Sequence, residues 1–405
     1  MGVNDTSDKS LMVRGGGALG ASGERNLKSV ESANALLNLR EKISQNTALV
    51  SDEWLDRLIK WAQEHRKAKM DPSESSLFDL SNFPDDRETL RNIKDLTFNS
   101  RYSFDDLPNE FANLQQLESL TFKSIDLKRL PKVICKLNKL KELSIYHSKG
   151  YYELAPLPNE FADLQELEDL FLSDYRMYKF PNVICKLDKL KSLSLYNCAL
   201  SALPDEFANL QKLKMIRMAG NNFKEFPKVI TKLSSLKGLN IGNCGLTSLP
   251  DEFANLQELE GLGAYGNDFK QLPNSITKIT TLKDLNISNC GLKNLPNEFK
   301  NLQKLEKLNV SNNAFDEFPQ AIASLTELKE LSMADCGLRT LPQNFANLQK
   351  LEFLDFESDT IDCSFDEFPS VILELSNLKS LWIDCFIDNK TAQILYEKGI
   401  KVNEF

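Results

Sequence analysis

The chain has 405 residues, 41% apolar and 26% charged, the composition of an ordinary folded protein and not of a disordered one. Its 58 acidic and 49 basic side chains leave a net charge of -9, which removes the basic field that non-specific nucleic-acid binding and adsorption to anionic membranes require. No uninterrupted apolar run approaches the ~20 residues of a membrane span.

The first 45 residues are expected to form a flexible tail or a leader. They begin MGVNDTSDKS, with neither a basic n-region nor an apolar h-region, which argues against a Sec signal peptide. Gly2 with Thr6 fits the myristoylation pattern M-G-x-x-x-[ST]. Gly15, Gly17 and Gly20 satisfy G-x-G-x-x-G, but no βαβ unit follows to make it a dinucleotide site. The stretch GGGALGA is similar to the oxyanion loop of patatin-like lipases, yet no G-x-S-x-G elbow follows to supply a nucleophile.

A helical cap is expected over 46–90. The run SDEWLDRLIKWAQEHRK is amphipathic, with Ser51 as N-cap and Asp52 and Glu53 in the first turn. Arg66 and Lys67 lie near its end, and Trp54, Leu55, Leu58 and Trp61 share one face. Such a helix can bind a partner or shield the first unit of a repeat array, whose core otherwise meets water.

Repetition dominates the rest of the chain, expected as one array over 91–388. Leu-Pro or Phe-Pro recurs at Pro108, Pro131, Pro158, Pro181, Pro204, Pro227, Pro250, Pro273, Pro296, Pro319, Pro342 and Pro369, in steps of 23 residues with two exceptions of 27. The frame between prolines is L-x-x-L-x-L-x-x-(N/C)-x-(L/F), as at Leu236, Leu239, Ile241, Cys244 and Leu246. The period-two pair Leu239 and Ile241 points inward from a short strand, so the residues between face outward. Asn221, Asn267 and Asn313 sit where the chain bends, placed to bond backbone groups that the bend leaves open. Cys takes that position in alternate units. Proline opens a helical turn in which Phe207, Leu210 and Leu213 face the core. Units of Leu-Pro-(Asn/Asp)-Glu-Phe type alternate with units of Phe-Pro-x-x-Ile type, a 46-residue super-repeat. NKTAQILYEKGIKVNEF, over 389–405, is expected to close the array with a helix and a strand.

On these residues the chain resembles the 23-residue leucine-rich repeats of bacterial proteins, of plant intracellular Ras-group proteins and of Scribble-like animal proteins. The resemblance implies an α/β fold: a right-handed solenoid, or horseshoe, with a concave parallel sheet of about thirteen strands. It also implies a scaffold that holds a protein or peptide, without a cofactor. The scaffold is expected in the cytoplasm of a bacterium. The helical segment is similar to caps in bacterial family members and in some secreted virulence effectors, which implies as the alternative location the host cytosol, reached as an effector by a Sec-independent route. The alternative function is the substrate-recognition subunit of a ligase or phosphatase complex. A monomer is expected.

Catalysis is not expected. Cys198, Cys244, Cys290 and Cys336 lie 46 residues apart, so strand spacing would hold neighbours ~9.6 Å from one another, too far for a disulfide. With Cys135 and Cys185 they are expected to be buried, reduced thiols. There is no CxxC pair, and His65 and His147 are the only histidines. Cys363 beside Asp362 and Cys385 beside Asp384 have too little chain after them for a catalytic domain.

The outward strand positions are therefore the candidate site. Tyr146, His147, Phe171, Tyr196, Met215, Arg217 and Tyr265 form a band of the composition typical of binding hot spots, although exposed strand positions favour aromatics in any case. Gly238, Gly242, Gly261 and Gly263 should leave a shallow hollow beside it. A second, acidic patch is formed by Glu330, Asp335, Asp355, Glu357 and Asp384. The two insertions, near Lys149–Ala155 and Ser358–Ser364, should bulge from one rim.

Overall fold

The structure is a computed structural model that describes residues 52–65, 78–79, 83–100, 107–123, 129–146, 152–358 and 365–403. The expectations on residues 1–45, Ser51, Arg66, Lys67, His147, Cys363 and the second insertion from 359 to 364 lie outside the described residues. The chain divides into two units, Met1–Arg57 and Leu58–Phe405, the boundary falling within the helix at 52–65. In the first unit the described residues are helical.

The second unit is a solenoid. Thirteen strands, one per repeat from Asp95–Ser100 to Ser380–Ile383, pair in parallel and in sequence order. A two-residue strand, Phe78–Asp79, joins one edge antiparallel, and Lys401–Val402 joins the other in parallel. The register repeats unit by unit: Met215 faces Gly238, which faces Gly261, which faces Asp284. The alternation in the sequence is met in the packing, since Leu193, Ile216, Leu239, Leu262 and Leu285 are buried under the sheet.

The side opposite the sheet is built of 3-10 turns, such as Asp205–Asn209, and not of α-helix. Three residues per turn bring Phe207, Leu210 and Leu213 onto one line, and all three are buried. Proline starts each turn with an acceptor alone: the Pro204 carbonyl accepts from the Phe207 N–H at 3.0 Å. The two unit types complement each other here. The ring of each Phe-Pro unit meets the Glu-Phe ring of the next unit edge-on, as in Phe180–Phe207 (5.3 Å between centroids), Phe226–Phe253 (5.2 Å) and Phe318–Phe345 (5.4 Å). In the other direction Gln211 clasps its own turn to the next, donating to Ala208 O (2.6 Å) and Lys232 O (3.3 Å). Each type supplies what the other lacks, which gives the 46-residue period a physical basis.

Asparagines stitch the bends after the strands. Asn221 accepts from the N–H groups of Cys198 (3.1 Å) and Leu200 (3.0 Å) and donates to Leu195 O (2.8 Å) and Met218 O (2.7 Å). Asn267 and Asn313 repeat the pattern. The alternate thiols supply only the donor half, Cys244 Sγ donating to Met218 O at 3.3 Å. Burial pushes the thiols of Cys135, Cys198 and Cys336 up to about 12 and those of Cys185, Cys244 and Cys290 to about 11. One residue earlier the backbone turns left-handed in successive units: φ is 52° at Asn197, 74° at Gly220 and 52° at Asn243. Gly220 has a second reason to be glycine, because a Cβ there would stand 1.8 Å from Asn197 Oδ1.

At the start of this unit Trp61, Phe83, Phe98 and Phe122 form a chain of ring contacts, with centroids 5.9, 6.4 and 5.3 Å apart. At its end Asp388 caps the helix Asn389–Glu397, accepting from Lys390 N (2.8 Å) and Thr391 N (3.0 Å). The first insertion does not simply bulge. Tyr152–Glu153 pairs in parallel with Tyr175–Arg176 as a separate two-stranded sheet.

Candidate binding surface

Because the strand register never slips, outward side chains stack in columns, and the surface can be read as a grid. The band expected from the sequence divides into two parts. Tyr146, Phe171 and Tyr196 form one row of rings, with centroids 4.4 Å apart between the first two and 6.1 Å between the last two. Tyr146 is 36% exposed, and Phe171 and Tyr196 are half-buried. Burial raises the Tyr196 hydroxyl above its ordinary value, against the pull of Arg217, and that hydroxyl accepts from Asn240 Nδ2 at 3.4 Å.

Met215, Arg217 and Tyr265 belong to the second part. They line a hollow of about 300 Å³ together with Gly238, Asn240, Gly261, Gly263, Asp284 and Asn286. The glycines act differently from one another. Met215 lies across Gly238, where a Cβ would meet its Cε at 2.3 Å, whereas a Cβ on Gly261 would meet nothing within 4 Å. Gly242, expected in the hollow, does not line it, because the Tyr265 ring covers it. The open floor is therefore backbone at Gly261, while the Asn240 amide leans over Gly263, 3.2 Å from where a Cβ would stand.

Hydrogen bonds fix how the polar groups around that floor point. Asn240 Oδ1 accepts from Gly242 N (3.1 Å), and Asn286 Oδ1 accepts from Ser288 N (3.0 Å) and Ser288 Oγ (2.8 Å). With their oxygens engaged, both amides hold their NH₂ groups outward as donors. Asp284, an exposed side chain at the far rim, has its carboxyl raised by partial enclosure, with Lys307 opposing and Glu330 adding to the shift.

The acidic patch is largely engaged within the fold. Glu330 is bonded to Lys307 at 2.6 Å. Asp335 accepts from Ser358 Oγ (2.9 Å), Asp355 from Glu357 N (3.0 Å), and Asp384 from Ser358 N (2.8 Å). These carboxylates cap bends, and Glu357 lies on the same partly exposed surface. Beside them the rings of Phe353 and Trp382 meet edge-on at 5.8 Å, with Trp382 43% exposed.

A feature that the sequence did not reveal lies away from the sheet face. The first insertion and the next bend enclose an apolar groove of about 470 Å³ lined by Leu154, Pro156, Leu157, Met177, Tyr178 and Phe180 among others. Tyr178 is 55% exposed and left-handed at φ 53°. Only the four-residue lengthening of that unit could have hinted at it.

Among the described residues no cluster of His, Cys, Asp and Glu could hold a metal, and no helix is long and apolar enough to cross a membrane. Repeat register, asparagine ladder and parallel sheet define the class: a leucine-rich-repeat solenoid that presents one open sheet face. Family models for a leucine-rich repeat region match residues 181–272, 228–334 and 270–398, together more than half of the chain. The chain belongs to the leucine-rich-repeat family. Comparison with curated protein sequences returns no match.

Among solved structures the chain is similar to a leucine-rich-repeat protein of Leptospira interrogans, at 25% identity and a TM-score of 0.54 over 80% of this chain and 92% of that one. It shares its fold with the leucine-rich-repeat ectodomain of the Arabidopsis thaliana receptor kinase GASSHO1/SCHENGEN3, solved in complex with CASPARIAN STRIP INTEGRITY FACTOR 2. That likeness has 22% identity and a TM-score of 0.55 over 70% of this chain and 37% of that one. An internalin of Listeria monocytogenes shares the fold at 22% identity and a TM-score of 0.50, over 62% of this chain and 77% of that one.

Proposed function

We propose that the chain is a protein-interaction scaffold that holds a segment of a partner protein on the concave face of its sheet. The hollow between Met215 and Tyr265 and the ring row Tyr146–Phe171–Tyr196 are its contact area. The observation that carries this reading is the uncovered backbone at Gly261, in a hollow that adjoins a row of rings. A partner's main chain can approach closely there while its side chains meet aromatic surface. A plant receptor ectodomain that shares this fold was solved in complex with CASPARIAN STRIP INTEGRITY FACTOR 2, which is in keeping with a binding role. The reading is non-enzymatic, since the thiols next to the strands are buried and hold their protons to about 11 or 12.

The narrower reading, a bacterial effector acting in a host cytosol, rests on the resemblance of the repeat frame and of the helical cap to such proteins. A translocation reporter fused to the chain tests it, and failure of the reporter to enter host cells contradicts it. Affinity purification with mass spectrometry tests the scaffold itself. The paired change Tyr196→Ala and Tyr265→Ala should remove a specific partner that Lys212→Ala retains. Recovery of the same partner by both variants contradicts the proposed face.

A further inference from the structure

One exposed position, just before each strand, carries a row of charges along the array. It reads Lys94, Glu118, Lys141, Glu168, Lys191, Lys214, Lys237, Glu260, Lys283, Glu306, Lys329, Glu352 and Lys379. Opposite charges bond across neighbouring units: Lys141 to Glu118 (2.5 Å), Lys191 to Glu168 (2.6 Å), Lys237 and Lys283 to Glu260 (2.9 and 2.7 Å), Lys329 to Glu306 (2.6 Å) and Lys379 to Glu352 (2.6 Å). The alternation fails once, where three lysines run together. Lys191 and Lys237 turn outward to their glutamates, and Lys214 between them has no carboxylate partner among the described residues. That break borders the strand Met215–Arg217, which forms one wall of the hollow.

Arg217 continues the pattern inside the hollow. Its only hydrogen bond among the described residues is a long one of 3.5 Å to Ser192 Oγ, whereas Lys307, on the same face, is neutralised by Glu330. The charge on Arg217 is thus left with nothing of opposite sign to meet it. One strand on stands the NH₂ group of Asn240, fixed as a donor by the bond to its oxygen and sharing one hydrogen with the Tyr196 hydroxyl at 3.4 Å. The Arg217 wall therefore offers a guanidinium and an amide donor, with a second uncompensated cation at its edge, while Asn286 stands on the far strand. The opposite rim, three strands or ~14 Å away, carries Asp284. The ends of the hollow have opposite charge, and the chain's net charge of -9 disfavours non-specific adsorption of an acidic segment.

We infer that the partner of the hollow is an extended protein segment that places an acidic side chain against Arg217, its main chain lying over Gly261. A carboxylate accepts from the fork of a guanidinium and from an amide N–H at once, and its charge makes those bonds stronger than any a neutral side chain could form there. The donors on the wall also suit the carbonyl groups of an extended backbone. Lys214 adds attraction at a distance and speeds the encounter without making a fixed contact. This rests on the proposed sheet face being the binding surface, and the test separates the two.

The probe is a phage-displayed library of random twelve-residue peptides, selected on the purified full chain. Enriched peptides are then synthesised with a fluorescent label and measured by polarisation. The inference expects an aspartate or glutamate at a fixed place in the enriched sequences. It expects affinity to fall at least tenfold with Arg217→Gln and with Gly261→Trp, and Lys214→Glu to slow association at low salt. Circular dichroism melting of each variant establishes that the fold is intact. If Gly261→Trp abolishes binding while Arg217→Gln leaves it unchanged, the surface stands and the acidic partner is overturned. If neither change alters binding, or no peptide is enriched, both readings fail.

Discussion

The ring of Tyr265 lies on Gly242, so closely that a Cβ on that glycine would stand 2.5 Å from Tyr265 Cζ. Glycine at 242 is therefore a requirement of the tyrosine in the next unit and does not open the hollow. Gly242→Ala should cost about 1–3 kcal/mol in chemical denaturation, the usual range for an overpacked site. Adding Tyr265→Ala should return most of that loss. Gly261→Ala, with empty space around its new methyl group, should be neutral or stabilising by ~0.5 kcal/mol. Equal losses for the two alanine variants would show that the ring does not rest there.

The asparagine ladder predicts a graded series. Asn221→Ala leaves two N–H groups and two carbonyls without their bonds, all at a residue 2% exposed. A loss of about 2–4 kcal/mol is expected. Asn221→Cys, which restores the donor half used by Cys198 and Cys244, should lose less. Identical denaturation midpoints for the two variants would remove the argument that the side chain's bonds stabilise the bend.

The buried thiols predict a pH dependence. Their ordinary value is 9.0, and the fold raises it to about 11 or 12. Below about pH 9 the thiols are protonated folded and unfolded, and their contribution is fully present. From there to about pH 12 the unfolded chain releases protons that the folded chain keeps, so stability falls as pH rises. Cys198→Ala should make that fall shallower by at most roughly 1.4 kcal/mol per pH unit. In parallel, a thiol reagent at pH 8 should leave these six cysteines unlabelled in the native protein and label all eight cysteines after denaturation. Labelling of more than two thiols in the native state would contradict their burial.

The fold was legible to the degree that it is periodic. Twelve prolines and the L-x-L pairs were enough to place the repeat strands, because register in a parallel array follows from the repeat length. The outer turns were read only as helical. Spacing of three between Phe207, Leu210 and Leu213 suits one face of either helix type, and only the Pro204–Phe207 hydrogen bond identifies the tighter one. The ring row could be foreseen because outward positions alternate along every strand. The engagement of the acidic patch could not, since Asp355 and Asp384 look exposed in sequence and bond backbone N–H groups only once the bends form. Which way Asn240 points its amide is likewise decided by Gly242 N, a partner that strand alternation does not reveal.

The two ends of the surface predict different responses to charge. Asp355→Ala or Asp384→Ala should weaken bends and lower stability by about 1–2 kcal/mol, because their carboxylates accept from backbone N–H groups. Arg217→Gln, with one long bond, should leave stability within ~0.5 kcal/mol of the parent. A larger loss for Arg217→Gln than for the two aspartates would reverse the division between structural and binding charges.

The central claim is that partners bind on the open sheet face around the glycine hollow. Site-specific photocrosslinking tests it most directly, with a benzophenone side chain introduced at position 284 on the rim of the hollow and, separately, at position 212 on the side of the 3-10 turns. With the bound peptide or protein partner present, position 284 should give one crosslinked product and position 212 none. Crosslinking from position 212 with none from 284 would contradict the account.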